Sequence, residues 1–364
     1  MSGLLSGKTV TIVPTATMLG MTYGLETRRR RSKCCEGYGS LVVFGPVGGL
    51  CSNQGGLSMA NTGSIVSPQA LERTQEWRAQ FAGAAPFRHV IIDDFLSPAF
   101  AEALLRQFPD FEKGNYIGDD GRPGGKSTLD RIRGLGDAYR DLDEVIQTRQ
   151  FLDVIGTITG IDGLLYDPFY LGGGTHENRH GQGLKAHIDF NYHPSERWHR
   201  RLNLIVYLNH EWDDAWGGMF DLYRDPYADP SPAVRVAPLF NRCVIFETNE
   251  HSWHGFDAIC LPEEKRSMSR KSIALYFYSA DRPSAETAGR HTTHYVNGQL
   301  PSHLQAGHTL TETDVSVMKQ LVAQRDAQLR ELYRENSSLL QAQDKGLAGH
   351  LLYLLKRLYV RYRR

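Results

Sequence analysis

The stretch "LKAHIDFNYHPSERWHRRLNLIVYLN", Leu184 to Asn209, decides the fold class. It opens with alternating apolar and polar residues and closes with a short run rich in aliphatic and β-branched ones, and both read as strands. In a strand, residues i and i+2 point to the same face, so the His187 imidazole and the Asp189 carboxylate stand side by side. In a chain with 14 histidines that pair alone does not separate a metal site from a catalytic dyad or from coincidence.

The same texture extends in both directions. From about Leu164 come "LLYDPFYLGG", "LKAHIDFNY", "RLNLIVYLN", "GMFDLYR", "AVRVAPLFN", "RCVIFETN", "SWHGFDAI" and "KSIALYFYS", divided by Gly, Pro and Asn clusters. About eight short strands at that spacing predict an antiparallel sandwich or jelly roll and argue against a βαβ fold. Upstream, "SPQALERTQEWRAQFA" predicts a helix capped by Ser67 with Pro68 at its first position. "FRHVIIDDFLSPAFAEALLRQFPDF" predicts a strand, a turn and a helix starting at Ser97-Pro98, and "RDLDEVIQTRQFLDVIGTITG" one or two further helices. After Asp281 the β pattern stops. "TETDVSVMKQLVAQRDAQLRELYRENSSLLQ" is helical, with a four-three apolar spacing through Met318, Val322, Leu329, Leu332 and Leu339, interrupted by Arg325 and Asn336. The apolar, basic end "LAGHLLYLLKRLYVRYRR" reads as a helix packed on its own domain or a partner, or lying on a membrane surface.

The expected architecture is α+β, mainly β: a double-stranded β-helix (jelly roll) over residues 66–285 with N-terminal helices, a disordered low-complexity extension over 1–65, and a helical, coiled-coil-like extension over 286–364. The N-terminal segment has its four consecutive arginines after its weakly apolar run, the reverse of a signal peptide, and is too polar to span a bilayer. Met59 is an alternative natural start. "LSGKTV" and "PGGKST" lack the first glycine of a phosphate-binding loop.

Bulk numbers bound the function. The 364 residues hold 41 basic and 41 acidic side chains, so no global charge argues for nucleic acid. The five cysteines (Cys34, Cys35, Cys51, Cys243 and Cys260) have neither a disulfide framework nor a CxxC pair, which fits a reducing, cytoplasmic setting. Cys243, in "RCVIFE", reads as a small buried apolar residue.

A mononuclear iron(II) site needs two imidazoles and one carboxylate on one face of the metal. His187 and Asp189 supply two of them, and "NRCVIFETNEHSWHGFDAI" offers His254 after a buried strand, with His251 as the rival. An oxidant made with 2-oxoglutarate would also need a cation for that molecule's remote carboxylate. Arg270, in "SRKSIALYFYS", stands at the head of the last strand with Ser272 on the same face, and Arg266 is the rival.

This ordered set resembles the iron(II)- and 2-oxoglutarate-dependent oxygenases, most closely a bacterial group of the prolyl 4-hydroxylase-like branch. The matching text, from about Phe87 to Asp281, is "GLKAHIDFN", "RRLNLIVYLN", "WGGMFDLY", "FNRCVIFETN", "SWHGF" and "SRKSIALYFYS". The resemblance implies that His187, Asp189 and His254 are the metal triad, and that Arg270, assisted by Ser272 and Tyr207, holds 2-oxoglutarate. Asn203 and Ile205 share a strand face with Tyr207 and are expected to line the pocket, and His176 is near a position that touches co-substrate or substrate. Gly217, Gly218 and Trp216 read as turn and packing residues, and "NYHPSERWHRR" and "THENRHGQG" as loops at the pocket rim.

The implied activity is hydroxylation of an unactivated C–H bond, coupled to conversion of 2-oxoglutarate and O2 to succinate and CO2, with Fe(2+) bound and ascorbate as an accessory. The expected substrate is a small molecule or peptide. Neither nucleic acid nor a transmembrane segment is expected, and the C-terminal helices offer a surface for self-association. Two alternatives are a cupin-type metalloenzyme without 2-oxoglutarate, which the Arg270–Ser272 pair disfavours, and a non-catalytic scaffold, which the intact triad disfavours.

Overall fold

A computed structural model describes residues 61–114, 126–296, 300–301 and 303–344, and scattered positions from 346 to 358. The expectations for residues 1–60, and most of those for the basic C-terminal end, lie outside the described residues.

Seven α-helices and twelve strands follow in chain order among the described residues. The N-terminal part holds α1 (Thr62–Ile65), α2 (Pro68–Glu72), α3 (Thr74–Gly83), β1 (His89–Ile92), α4 (Pro98–Arg106), β2 (Ser127–Leu129), α5 (Asp137–Ile146) and α6 (Arg149–Thr159). The β-rich part holds β3 (Leu165–Tyr166), β4 (Gly174–Asn178), β5 (Leu184–Ile188), β6 (His199–Tyr207), β7 (Phe220–Tyr223), β8 (Val234–Val236), β9 (Cys243–Glu247), β10 (Trp253–Phe256) and β11 (Arg270–Ser279). The two-residue β12 (His294–Tyr295) and the long α7 (Glu312–Asp344) complete the chain.

The cap at Ser67 falls where the sequence puts it, and Thr148 caps α6 in the same way. Ser67 Oγ accepts from the Ala70 amide with Pro68 at the first position, and Thr148 Oγ1 accepts from the Phe151 amide. The helix expected from Ser67 onward is two helices, because Arg73 leaves helical geometry between α2 and α3. Folded chain also starts earlier than residue 66. Asn61 caps α1 through a reciprocal pair with Ser64, and Ile65 and Val66 are buried in the core.

Two antiparallel sheets pack face to face as a double-stranded β-helix. The major sheet runs β1-β9-β6-β11-β4-β2, with β3 also on β11, and the minor sheet runs β12-β5-β10-β7-β8. Period-two alternation divides the major sheet into two faces. Leu202, Leu204, Val206, Ile273, Leu275 and Phe277 pack on Tyr139, Leu142, Phe151 and Ile155 of the helices. Tyr207, Val244 and Phe246 face the other way, onto Phe220, Leu222 and Val236 of the minor sheet. Central strands are thus covered on both sides, and every residue of β9 is buried.

Three parts of the β reading change. β4 runs through "GTHEN", most of which the sequence assigns to a loop at the pocket rim. β6 begins at His199, so Arg200 and Arg201 belong to a strand and not to the loop before it. The β pattern does not stop at Asp281: β12 pairs with β5. Downstream, α7 covers the predicted helical stretch, with Val322, Leu329, Leu332 and Leu339 exposed along it. No helix among the described residues is long and apolar enough to cross a membrane.

Candidate metal centre

β5 and β10 are antiparallel neighbours, and their register sets His187 directly opposite His254. Residues so paired project to the same face, and the two imidazole centroids are 4.3 Å apart. Each ring is fixed by the carbonyl two residues before it. His187 Nδ1 is 2.9 Å from Lys185 O, and His254 Nδ1 is 2.8 Å from Ser252 O. A carbonyl only accepts, so each Nδ1 carries the proton and each Nε2 presents a lone pair. Both Nε2 atoms face Asp189, one residue beyond β5, at 3.8 Å from Oδ1 for His187 and 3.5 Å from Oδ2 for His254. The three ligand atoms lie within 4.8 Å of one another, a spacing that could hold a metal ion.

Protonation suits that use. Desolvation first, and the neighbouring His254 second, push the His187 imidazole down to about 3. Desolvation also lowers His254. Burial alone would raise the Asp189 carboxyl, but Arg200, then the two imidazoles and Asn203, hold it well below the usual carboxylate range. Near neutral pH the set is therefore two neutral imidazoles and one carboxylate.

Behind Asp189 lies a polar support. Asn203 Nδ2 donates to Asp189 Oδ2 at 2.8 Å, and Arg200 Nη2 lies 3.2 Å from the same oxygen. Arg200 also donates from Nε and Nη2 to Asn203 Oδ1. Its guanidinium, 1% exposed, is held between the Tyr276 and Phe190 rings.

A second buried cation occupies the mouth of β11. Arg270 Nε donates to Gly218 O at 2.7 Å, and Nη2 donates to Tyr207 Oη at 3.2 Å. The guanidinium lies 4.2 Å from the Phe256 ring centroid. Desolvation lowers Arg270 and raises Tyr207, and each partly offsets the other's shift. Gly218 has φ +66°, and a Cβ there would approach Ile259 Cγ1 to 2.8 Å, so glycine keeps this carbonyl aimed at Arg270. Across the major sheet, Tyr207, Ser272, His176 and Thr128 form one paired row. His176 Nε2 is 3.1 Å from Gly172 O, and desolvation, then Lys126, push its imidazole down to about 3.

Residues 173–278 match the family model of the 2OG-Fe(II) oxygenase superfamily. The chain carries a 2OG-Fe(II) oxygenase domain. The oxygenase match takes in all three clustered residues, the Arg270–Tyr207 pair, Ser272, Asn203 and His176. The cofactors of such a domain are Fe(2+), 2-oxoglutarate and O2. Similar solved structures include a Trichoplax adhaerens prolyl hydroxylase in complex with a hypoxia inducible factor peptide fragment, with 18% identity, TM-score 0.41, and coverage of 58% of this chain and 94% of that one. A Pseudomonas putida prolyl-4-hydroxylase has 17% identity and TM-score 0.37, with coverage of 57% and 99%. HygX from Streptomyces hygroscopicus, with nickel and 2-oxoglutarate bound, has 11% identity and TM-score 0.40, with coverage of 61% and 97%. A search of curated proteins gave no significant match.

Within the oxygenase domain the two rival residues are placed elsewhere. His251 is exposed, and Arg266 lies at the surface beside Glu263. Asn203, expected to line the pocket, donates to Asp189. Arg200 and Gly218 escape sequence reasoning for different reasons. Alternation back from Asn203 points to Arg201, but the register shifts between Phe277 and Tyr278, so Tyr278 pairs with Arg200 and the bulge turns Arg200 inward. Gly218 acts through its carbonyl, which no side-chain pattern reveals. Tyr295 of β12 stacks on His187 at 5.1 Å, from a segment that reads as lying outside the domain.

Proposed function

We propose that His187, Asp189 and His254 bind Fe(II), that Arg270 with Tyr207 and Ser272 binds the remote carboxylate of 2-oxoglutarate, and that the enzyme hydroxylates an unactivated C–H bond of a peptide or small molecule. The observation that carries this reading is a His-Asp-His cluster with both imidazoles buried, paired with a separate buried arginine that packs on Tyr207 of the major sheet and Phe256 of the minor one. The donor set fits iron: three hard or borderline ligands on one side leave positions open for co-substrate and oxygen.

When bound, the metal supplies the oxidising power, through decarboxylation of 2-oxoglutarate by O2. The chain supplies geometry. Lys185 O and Ser252 O fix both imidazole tautomers, while Arg200 and Asn203 hold Asp189 ionised and oriented. Arg270, desolvated between Phe256 and Tyr207, offers a carboxylate a charge-assisted bond that water there does not compete for.

The sequence likeness to the prolyl 4-hydroxylase-like branch supports a proline ring, in a peptide or as a small molecule, as the group attacked. Arg270 with Tyr207 disfavours a cupin-type enzyme that does without 2-oxoglutarate. Free Cys243 and Cys260 fit a cytoplasmic location. The exposed apolar residues of α7 fit self-association through the C-terminal helices.

The test is succinate formation from 2-oxoglutarate across a panel of prolyl peptides and small molecules. Stimulation above the uncoupled background by one substrate class, abolished in His187→Ala and Asp189→Ala, is the expected result. Full turnover in both variants rules out the triad, and stimulation by non-prolyl substrates alone overturns the proline assignment.

A further inference from the structure

A second group of metal-ligand side chains lies outside the oxygenase match. His303 and His308 stand in the segment before α7, and Asp314 is in its first turn. Two imidazole nitrogens and one carboxylate oxygen from these residues fall within 4.8 Å of one another. His303 Nε2 is 2.8 Å from Asp314 Oδ1, and His308 Nε2 is 3.0 Å from Oδ2. The carboxylate is anchored from behind. The Thr311 amide and hydroxyl donate to Oδ2 at 2.9 and 2.7 Å, and the Asp314 amide donates back to Thr311 Oγ1. The Asp314 side chain is 8% exposed, but those of His303 and His308 are 56% and 30% exposed, so a solute can reach the cluster.

We propose that His303, His308 and Asp314 form a second divalent-metal site, of the chemistry zinc prefers, which pins the segment before α7 to the start of that helix. Two imidazoles and a carboxylate with a water as fourth ligand are a common zinc set. Tetrahedral zinc with bonds of about 2.0–2.1 Å spaces its ligand atoms roughly 3.3 Å apart. The 2.8 Å from His303 Nε2 to Asp314 Oδ1 would open by a few tenths of an ångström, while His308, now 3.0 Å from the other oxygen, would turn toward the ion, all three ligand atoms already lying within 4.8 Å of one another. A carboxylate only accepts, so each Nε2 donates to Asp314, and a cation would take the place of those protons. Each imidazole can shift that proton to Nδ1, leaving the Nε2 lone pair free for the metal.

Two further features favour the site. All three ligands come from one short local segment, so binding closes only a small loop. Thr311 fixes the carboxylate in the way outer-shell partners fix metal ligands. The N-terminal end of a helix dipole is unfavourable to a cation, and Asp314 offsets this by placing its negative charge between the helix end and the metal.

The site shares no residue with the His187–Asp189–His254 cluster, so a difference measurement separates the two. The full chain and the variant His303→Ala/His308→Ala are dialysed against low micromolar zinc chloride, and bound zinc is measured per chain. Because both histidines are exposed, the variant keeps the fold, and its 2-oxoglutarate turnover with iron remains at the wild-type level. The expected result is loss of about one zinc per chain, accompanied by loss of zinc-dependent protection of the 303–312 segment from proteolysis. Zinc stoichiometry unchanged by the substitution overturns the proposal and leaves the cluster a hydrogen-bonded helix cap only. That outcome is independent of whether the oxygenase centre takes up metal.

Discussion

Arg200 reaches Asp189 from behind, its Nη2 3.2 Å from the Oδ2 that also accepts from Asn203. A fully buried guanidinium thus restrains the single carboxylate of the metal cluster. Replacing it with the similarly long Arg200→Met keeps much of the packing between Phe190 and Tyr276 but removes the restraint. Loss of such an outer partner weakens metal binding about 10–100-fold. Anaerobic iron(II) titration in the presence of 2-oxoglutarate measures it; an unchanged midpoint would mean that Asn203 alone suffices.

Tyr207→Phe removes one hydroxyl and retains the ring that packs on Phe246 and Phe220. Arg270 loses its Nη2 partner but keeps Gly218 O. Hydrogen bonds to charged groups contribute about 1.5–3 kcal/mol, so the KM for 2-oxoglutarate should rise roughly tenfold or more. The kcat at saturating 2-oxoglutarate should change much less. A fall in kcat at constant KM would take Tyr207 out of co-substrate binding.

Gly218→Ala probes backbone rather than side chain. At φ +66° an added Cβ is strained and meets both Ile259 and Trp212. The cost should be about 1–3 kcal/mol of stability, visible as a lower melting temperature. The displaced carbonyl should also weaken 2-oxoglutarate binding, because it is the acceptor for Arg270 Nε. A variant that melts like wild type and keeps its KM would show that the loop adapts freely.

Leu329 and Leu332 are exposed on α7. If that face associates, Leu329→Glu/Leu332→Glu should convert a dimer to a monomer in sedimentation equilibrium with turnover per chain unchanged. A wild-type chain that is monomeric throughout the micromolar range argues against self-association.

The sequence makes the His187–Asp189–His254 cluster legible because its geometry is local on each strand. His187 and Asp189 obey period two, and His254 follows a run, "RCVIFE", too apolar to be anything but a buried strand. Arg270 and Tyr207 are legible for the same reason, each at a set place on a long alternating strand. What escapes is whatever depends on a partner strand. The bulge that turns Arg200 inward is a property of the β6–β11 register. β4 is weak in β propensity and forms because β2 and β11 flank it. Likewise, β12 is too short to leave any periodic signal.

β12 has one consequence for how the chain can be divided. It lies on the outer side of β5, with the Val296 amide donating to Ala186 O and Tyr295 stacked on His187. A cut at residue 285, where the strand-like text ends, would leave β5 as an open border whose backbone groups are free to pair with another molecule. It would also remove the Tyr295 ring that covers His187. A chain ending at residue 285 should therefore associate more readily and bind iron(II) more weakly than one that keeps β12 and Val296, as sedimentation and anaerobic iron titration would read.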